Sequence, residues 1–312
     1  MSEFDFIESI RKKIRVRNKN VLIGIGDDCA LIDESRNLLV TVNSAVENIH
    51  FKREWGSSRL LGRRLVRVNI SDIYSKGGVP LYALLSIGID YKKRGAFVNR
   101  YVDGVIYELE RNKIQLIGGN VSSAKDDMFF DLVLIGKVER GKLKRRDGAK
   151  SGDMIAVSGK LGDAACGLNI LLTNQKRRTK YSSFINSFLL PDVRSFSEYR
   201  IWNYVTSSID ISDGLIGDLS HILEKSRCGA VLWKERIPVS RALIEYCKNN
   251  RLDIYRFILA GGEDYRILVT LRRDTPAKVI EESEFSVIGM IENKSGIRIS
   301  GLKNNYEPFK HF

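Results

Sequence analysis

Four short acidic motifs stand out because each lies next to glycine or at the end of an expected strand. They are Gly26-Asp27-Asp28, Asn69-Ile70-Ser71-Asp72, Asp210-Ile211-Ser212-Asp213-Gly214 and Gly261-Gly262-Glu263-Asp264. A carboxylate at a strand end is costly unless it binds a cation or caps a helix. Oxygen ligands without Cys or His suit Mg²⁺, and Mg²⁺ among carboxylates is typical of sites that bind a polyphosphate. The four motifs together predict phosphoryl transfer from a nucleotide.

Each motif taken alone also has an ordinary structural explanation. The pair Asp27-Asp28 suits a turn after a strand. Asp72, three residues after Asn69, suits a solvated helix face, and Asp213 suits a helix cap. Their occurrence together, in a chain with three histidines and four dispersed cysteines, favours a site for a metal and a nucleotide.

Strands and helices alternate along the chain, which predicts an α/β or α+β protein. The expected strands are residues 21–25, 38–42, 81–89, 129–138, 153–157, 207–211, 265–271, 286–290 and 296–299. The expected helices are residues 58–76, 101–111, 162–172 and one after Asp213, with Asp213 as its cap. The apolar run 115–117 stops at Gly118. The basic, turn-rich stretch 141–152 predicts a boundary between one domain over residues 1–140 and another over 141–312.

Composition argues against several classes of protein. The 312 residues include 51 Lys and Arg against 38 Asp and Glu, a net charge of +13. The cysteines form no CxxC pair, so neither a disulfide framework nor a thiolate zinc site is expected. No stretch approaches the roughly 18 apolar residues of a membrane span, and the first residues lack a secretory apolar segment, so we expect a cytoplasmic protein without a membrane partner.

The basic excess has three explanations. Its clusters, residues 11–19, 137–150 and 176–180, are short and poorly interleaved with aromatic residues. A solvated surface is therefore favoured over nucleic-acid binding, and steering of a phosphate-bearing substrate is a second possibility.

The chain contains neither standard nucleotide-binding loop, GxxxxGK[ST] or a GxGxxG that opens a helix after a strand. What it does contain, in order, are GIGDDCALID (24–33), VENIHF (46–51), VNISDIYSKGGVPLYALLSIGI (68–89), LIGGN (116–120), RDGAKSGDMIAVSGKLGDAACGL (146–168), IDISDGLIGDLSHIL (209–223) and GGEDYRILVT (261–270). This series, with KHF at 310–312, closely resembles the thiamine-monophosphate kinase family, within the superfamily of aminoimidazole ribonucleotide synthetase.

The resemblance implies ATP-dependent phosphorylation of thiamine monophosphate to thiamine diphosphate, with several Mg²⁺ ions and direct transfer to the substrate phosphate. It implies two α/β domains, the first of which pairs its sheet with that of a second copy, so that a homodimer contains a barrel. It places the active site in the cleft between the domains, close to the dimer interface.

The resemblance also assigns residues to the site. Positions that match Mg²⁺ ligands are Asp28, Thr41, Val42, Asn43, Asp72, Asn120, Asp210 and Asp213. Positions that match ATP contacts are Gly119, Asn120, Arg146 and Ser212, and positions near the thiamine moiety are His50, Glu263 and Phe309. A guanidinium suits a phosphate, and a carboxylate and an aromatic ring suit a cationic thiazolium. Without the resemblance, His50 would fit a core histidine, Arg146 a basic linker and Glu263 a braced turn.

Two motifs depart from the family pattern. The family's Thr-Thr-Asp after the second strand is here Thr41-Val42-Asn43, so a carboxylate is replaced by an amide whose oxygen can still bind Mg²⁺. Strand alternation places Thr41 and Asn43 on one face and Val42 on the other. The family more often has Gly-Gly-Asp where this chain has Gly118-Gly119-Asn120. Together the changes remove up to two negative charges from one metal corner.

Two hypotheses follow from these departures: a working kinase, or a nucleotide-binding relative with little or no turnover. We favour the working kinase because His50, Glu263 and the other acidic motifs persist. Other ATP-using members of the superfamily form a further alternative. Selenophosphate synthetase would carry a reactive Cys or selenocysteine in a glycine-rich N-terminal segment, and the hydrogenase-maturation relative would end in cysteine, where this chain has Phe312.

Overall fold

The computed structural model describes residues 9, 12–15, 18–23, 31–32, 37–89, 95–173 and 179–302. Two of the residues assigned by the resemblance, Asp28 and Phe309, lie outside this part of the chain. Helices and two larger sheets mix along the described chain, which confirms the predicted α/β (α+β) class. The chain divides into two compact units, one of residues 1–73 with 78–140 and the other of residues 74–77 with 141–312.

The first unit contains a four-stranded sheet and a small two-stranded ribbon. Its strands are β1 (Val21–Ile23), β2 (Leu31–Ile32), β3 (Leu38–Val46), β4 (Val79–Ile89), β5 (Gln115–Ser123) and β6 (Phe129–Lys137). Its helices are α1 (Ser58–Ser75) and α2 (Ala96–Arg111), with a 3₁₀ turn at Arg53–Trp55. The sheet order is β3-β6-β4-β5, and only β4 and β5 run parallel. A parallel pair needs a crossover connection, which α2 supplies.

Side-chain alternation gives this sheet two different faces. One face packs on the helices and is buried; from β6 it contains Phe130, Leu132 and Leu134. The Tyr101 ring of α2 stacks on Phe130 with 3.8 Å between ring centroids. On the opposite face, Val40 and Val42 of the edge strand β3 are 67% and 60% exposed. The helix-covered face is therefore the core of the first unit, and the opposite, uncovered face exposes apolar side chains of β3 in the described part of the chain.

The second unit contains a six-stranded sheet in the order β12-β9-β11-β7-β10-β8. Its strands are β7 (Met154–Ser158), β8 (Val205–Asp210), β9 (Gly229–Leu232), β10 (Ile267–Leu271), β11 (Phe285–Glu292) and β12 (Gly296–Ile299). Its helices are α3 (Asp163–Thr173), α4 (Ser182–Leu189), α5 (Leu215–Ser226), α6 (Arg241–Asn250), α7 (Ile254–Leu259) and α8 (Ala277–Glu281), with 3₁₀ turns at Arg200–Tyr204 and Lys234–Arg236. Trp202 packs in the core with Val269 and Phe285.

The structure extends one expected segment and corrects one expected cap. The apolar run at 115–117 is the start of a strand that continues through Gly118 to Ser123, because backbone pairing with β4 needs no side chain. The cap of α5 is Gly214, without a side-chain hydrogen bond, rather than Asp213. Asp218 of the helix instead accepts the backbone N–H groups of Ser212 and Asp213. No helix in the described ranges combines the length and apolar character needed to cross a membrane.

Candidate active site

Three of the predicted metal-binding residues meet on the helix-covered face of the first sheet. The Thr41 hydroxyl donates to Asp72 Oδ2 at 2.6 Å, and Asn43 Nδ2 donates to the same oxygen at 2.8 Å. Thr41 and Asn43 are two residues apart on β3 and so share a face, whereas Val42 between them lies on the exposed face. Asp72 reaches them from the last turn of α1. We call Thr41, Asn43 and Asp72 the metal corner.

Gly119 and Asn120 lie on β5, at the other edge of the same sheet. The row of paired residues that begins at Asn43 passes through Leu132 and Leu85 to Gly119. Three inter-strand steps separate its ends, about 14 Å at the usual strand spacing. Within one chain, the sheet therefore does not bring Asn120 to the metal corner. A Cβ on Gly119 would lie 2.0 Å from the Leu85 carbonyl oxygen, so close packing of β5 on β4 also requires glycine at this position.

His50 lies in the loop after β3 and is exposed, so it is not a core histidine. The Val46 backbone N–H donates to His50 Nδ1 at 3.1 Å. A neutral imidazole whose Nδ1 accepts a hydrogen bond carries its proton on Nε2. The His50 ring is therefore held in the tautomer whose Nε2–H can donate to an anionic group.

In the second unit, acidic side chains gather where β8 ends and α5 begins. Asp210 is the last residue of β8 and is buried. The loop at residues 211–214 follows, and Asp218 from the first turn of α5 reaches back to it. Asp218 Oδ2 accepts the Ser212 N–H at 3.0 Å and the Asp213 N–H at 2.9 Å. We call Asp210, Asp213 and Asp218 the carboxylate cluster.

The electrostatics of the carboxylate cluster favour a bound cation. Burial, together with the neighbouring Asp210 and Asp213, raises the pKa of Asp218 to about 8, although its two backbone hydrogen bonds oppose the shift. Asp213, Asp218 and His221 also offer ligand atoms that all lie within 4.8 Å of one another. Crowded carboxylate oxygens are the donor set of a hard divalent cation. The cluster therefore fits Mg²⁺ by its chemistry.

Sequence reasoning missed Asp218, although a signal for it was available. The residue lies five positions after Asp213, at the start of the helix that the sequence predicts. An acidic residue in a first turn can reach back to the N–H groups that precede the helix. The two hydrogen bonds that Asp218 accepts in this way fix the 211–214 loop.

The loop at residues 261–265 is fastened directly to the 211–214 loop. The Glu263 N–H donates to the Ser212 carbonyl, and the Tyr265 N–H donates to the Ile211 carbonyl, both at 2.8 Å. A Cβ on Gly262 would lie 2.1 Å from the Ser212 carbonyl oxygen, so only glycine permits this approach. The loop thus places Glu263 beside Ser212.

Glu263 is held in an unusual backbone conformation. Its φ is 73° and that of Tyr265 is 49°, both in the left-handed region that non-glycine residues rarely adopt. The Tyr265 hydroxyl donates to Glu263 Oε2 at 2.8 Å. Such strain persists only where the surroundings enforce it and is often found at functional sites. The backbone and the phenol together orient the Glu263 carboxylate.

Asp264 anchors the same loop from the other side. The residue is buried, and its carboxylate accepts the Gly162 N–H at 2.8 Å and the Ala164 N–H at 3.4 Å, at the start of α3. Burial raises the pKa of Asp264 to about 7, although these backbone hydrogen bonds oppose the shift. Asp264 therefore fixes the loop rather than taking part in the carboxylate cluster.

Arg146 lies in a loop that is tied to the strand carrying Asp210. The Ser208 N–H of β8 donates to the Arg145 carbonyl at 3.0 Å. The Ser226 hydroxyl donates to the Arg146 carbonyl at 3.0 Å and accepts the Ala149 N–H at 3.2 Å. The Arg146 side chain is exposed, and within the described ranges no carboxylate pairs with it. The loop backbone is fixed while the guanidinium extends outward.

Comparison with known proteins shows which family this chain resembles in sequence and fold. Residues 26–138 match the family model described as AIR synthase related protein, N-terminal domain. A curated thiamine-monophosphate kinase from Aquifex aeolicus is 32% identical over 100% of this chain and 98% of its own length. A crystal structure of thiamine-monophosphate kinase from Stenotrophomonas maltophilia superposes with a TM-score of 0.83 at 28% identity, covering 97% of this chain and 98% of that one.

A further solved structure carries ligands. It is described as AaThiL complexed with AMPPCP and TMP, and it superposes with a TM-score of 0.80 at 31% identity, covering 99% of this chain and 97% of that chain. Full-length identity above 30% to a curated enzyme, together with the matching fold, leads to one conclusion. The chain belongs to the thiamine-monophosphate kinase family, within the AIR synthase-like superfamily.

Proposed function

We propose that this chain transfers the γ-phosphoryl group of ATP to the phosphate of thiamine monophosphate (TMP), giving thiamine diphosphate and ADP in thiamine diphosphate biosynthesis. The observation that carries the proposal is the carboxylate cluster, because its crowded oxygens suit Mg²⁺ and the adjoining 261–265 loop holds an oriented carboxylate, Glu263. Support also comes from the relative that was solved with AMPPCP, a non-hydrolysable ATP analogue, and TMP.

Asp210 and Asp213 would hold Mg²⁺ in the second unit, and Asp218 would fix the loop that carries Asp213. Bound there, Mg²⁺ neutralises phosphate charge and holds the phosphates for in-line transfer. Asp72 would supply a carboxylate in the first unit. Three residue assignments stay predictions: Asp28 as a further Mg²⁺ ligand, and Val42 and Asn120 as contributors to the metal site. The number of bound ions also stays a prediction.

ATP would be bound by residues on fixed backbone loops and by one positively charged side chain. The exposed guanidinium of Arg146, on a loop tied to β8, can form a bidentate pair with a phosphate. The Ser212 hydroxyl lies in the loop that Asp218 and Glu263 fix from two sides. Gly119 and Asn120, both exposed on β5, would contribute from that strand.

TMP would be recognised through its cation and its phosphate. The thiazolium ring carries a positive charge, which the oriented carboxylate of Glu263 complements. His50 Nε2–H can donate to an anionic oxygen of the substrate. Phe309 as an aromatic neighbour of the thiazolium stays a prediction.

We also propose that the chain forms a homodimer through the uncovered face of the first sheet, with the two sheets closing a barrel. Val40 and Val42 on β3 are largely exposed, and Val133 and Ile135 on β6 are half-buried on the same face. Large exposed apolar patches mark interaction sites. The cytoplasmic location and the assignment of ATP binding and dimerisation to residues 1–140 stay predictions.

The test is to incubate the protein with ATP, MgCl₂ and TMP and to follow thiamine diphosphate by chromatography. We expect product that depends on all three additions. Absence of product at every Mg²⁺ concentration would contradict the working kinase and favour the nucleotide-binding relative without turnover, and retained ATP binding would support that second function. Thiamine in place of TMP is the matched control, because it lacks the acceptor phosphate.

A further inference from the structure

The two hydrogen bonds that β3 donates to Asp72 end on one carboxylate oxygen. Thr41 Oγ1 and Asn43 Nδ2 lie 2.6 and 2.8 Å from Asp72 Oδ2. A carboxylate oxygen has two lone-pair sites, and two donors at these distances occupy both of them. Neutral groups of β3 therefore saturate this oxygen of Asp72.

The direction of the Asn43 amide matters as much as its distance. Only the Nδ2 branch suits a carboxylate, because the Oδ1 branch would place two acceptors in contact. The amide oxygen then lies on the other branch, away from Asp72 Oδ2. A Mg²⁺ ion that used Asp72 Oδ2 and Asn43 Oδ1 together would require the amide to turn over and its hydrogen bond to break.

The carboxylate cluster of the second unit differs in this respect. Asp218 also accepts two hydrogen bonds on one oxygen, from Ser212 and Asp213. Nevertheless, ligand atoms of Asp213, Asp218 and His221 all lie within 4.8 Å of one another, so two carboxylates face the same small space. A divalent cation therefore neutralises more negative charge in the cluster than in the metal corner, where a hydroxyl and an amide contact Asp72.

We propose that Asn43 replaces a cation in this chain: with Thr41 it holds Asp72 in a hydrogen-bonded corner that stays closed without Mg²⁺ and binds the ion more weakly than the carboxylate cluster does. This inference rests on the proposed function, since it divides between two groups of residues the Mg²⁺ that the reaction requires. It explains how Asn at position 43 is compatible with an intact site.

Asn43→Asp tests the inference by converting the amide into a second carboxylate. Two carboxylates at hydrogen-bond distance repel each other unless they share a proton or a cation. We expect MgCl₂, without nucleotide, to raise the thermal midpoint of this variant by about 2–4 °C more than that of the wild-type chain. An equal rise in the two proteins would contradict the inference.

Asn48→Asp is the matched control. Asn48 Nδ2 donates to Asp127 Oδ1 at 2.7 Å on the exposed surface, so the same substitution again faces an aspartate, but where water and salt screen the repulsion. We expect its Mg²⁺-induced rise to equal that of the wild type. A rise as large as that of Asn43→Asp would mean that the effect is not specific to the metal corner, and would overturn the inference.

A second variant serves if Asn43→Asp fails to fold. Asp72→Asn keeps the side-chain shape and an accepting oxygen, so Thr41 and Asn43 can still donate to it. We expect its Mg²⁺-induced rise to stay within about 1 °C of the wild-type value, whereas Asp213→Asn loses most of the rise. Equal losses in the two variants would overturn the inference. None of these measurements needs turnover, so a chain that shows this pattern but forms no thiamine diphosphate contradicts only the proposed function.

Discussion

The metal corner of the first unit and the carboxylate cluster of the second unit both centre on aspartates, but those aspartates have different neighbours. In the corner, one carboxylate oxygen of Asp72 receives a hydroxyl and an amide from β3. In the cluster, Asp218 is buried beside two further aspartates, and its pKa is raised to about 8. The same residue type thus accepts a hydroxyl and an amide from β3 in the corner and lies beside other carboxylates in the cluster, which is why we propose the cluster as the stronger cation site.

The largest expected effect comes from the carboxylate cluster. Asp213→Asn removes one charge that the proposed Mg²⁺ ion needs, and we expect kcat to fall at least about 100-fold, because such an ion supplies several kcal/mol of charge stabilisation. Asp72→Asn should lower kcat by less than about tenfold on the same reasoning. Steady-state rates of thiamine diphosphate formation measure both.

The control for this pair is Asp274→Asn, which removes an exposed charge that pairs only with Arg272 among the ion pairs of the described chain. Its rate should equal that of the wild type. A larger fall in kcat for Asp72→Asn than for Asp213→Asn would contradict the proposal that the carboxylate cluster binds Mg²⁺ more strongly than the metal corner.

A smaller effect is expected from the phenol that orients Glu263. Tyr265→Phe removes the 2.8 Å hydrogen bond to Glu263 Oε2 and leaves the ring in place. A hydrogen bond to a charged group contributes about 1.5–3 kcal/mol, so we expect KM for TMP to rise about tenfold while kcat and KM for ATP change less than twofold. Tyr199→Phe, at an exposed position, should leave all three constants unchanged. A fall in kcat alone would assign the phenol to the chemical step.

Asp264 tests whether burial, without a crowd of neighbouring carboxylates, raises the pKa of a carboxylate outside the cluster. Burial raises its pKa from 3.8 to about 7 in the folded chain. The stability that this shift contributes is complete below about pH 4 and is lost as the pH rises through about 7. Asp264→Asn stays neutral and can still accept the Gly162 N–H. Chemical unfolding without Mg²⁺ should therefore show the wild type losing at least about 1 kcal/mol relative to the variant between pH 5 and pH 8. A constant difference across this range would contradict the raised pKa.

The smallest effect on rate is expected from Asn43→Asp. Because the metal corner is already closed by hydrogen bonds, we expect the rate at saturating Mg²⁺ to change less than about threefold, with a change in the Mg²⁺ concentration for half-maximal rate. A titration of the rate with MgCl₂ measures both quantities. A large gain in rate would show that the wild-type site is impaired and would favour the nucleotide-binding relative.

Much of the fold could be predicted from the sequence, because long periodic segments decide their own structure. The helix at Ser58–Ser75 and the strands at Val79–Ile89 and Phe129–Lys137 lie within two residues of the prediction. The short helices α4, α6, α7 and α8 were not predicted, since 5 to 10 residues give too few turns for a clear pattern. Whether β5 continued through Gly118 depended on its partner strand β4, which no local pattern reveals.

For the candidate site, the sequence predicted which residues take part better than it predicted which of them lie together. The sequence identified the residue types, and the structure placed Thr41, Asn43 and Asp72 together. It placed Asn120 on the other edge strand of the same sheet, about three strand spacings from Asn43. The prediction that one corner loses two charges treated these residues as neighbours, but adjacency across a sheet depends on strand order. Strand order is set by the whole unit and not by either motif.

By itself, the sequence determined that this chain has the motifs of a phosphoryl-transferring family, that hard oxygen ligands dominate them, and that an amide stands at position 43. Only the tertiary structure decided that this amide donates to Asp72, 29 residues away, and that Asp218 holds the loop of Asp213. It also decided which carboxylates are buried together. The physical reason is that a carboxylate's need for a cation depends on its burial and on the donors and charges within a few ångströms, and those neighbours come from distant parts of the chain.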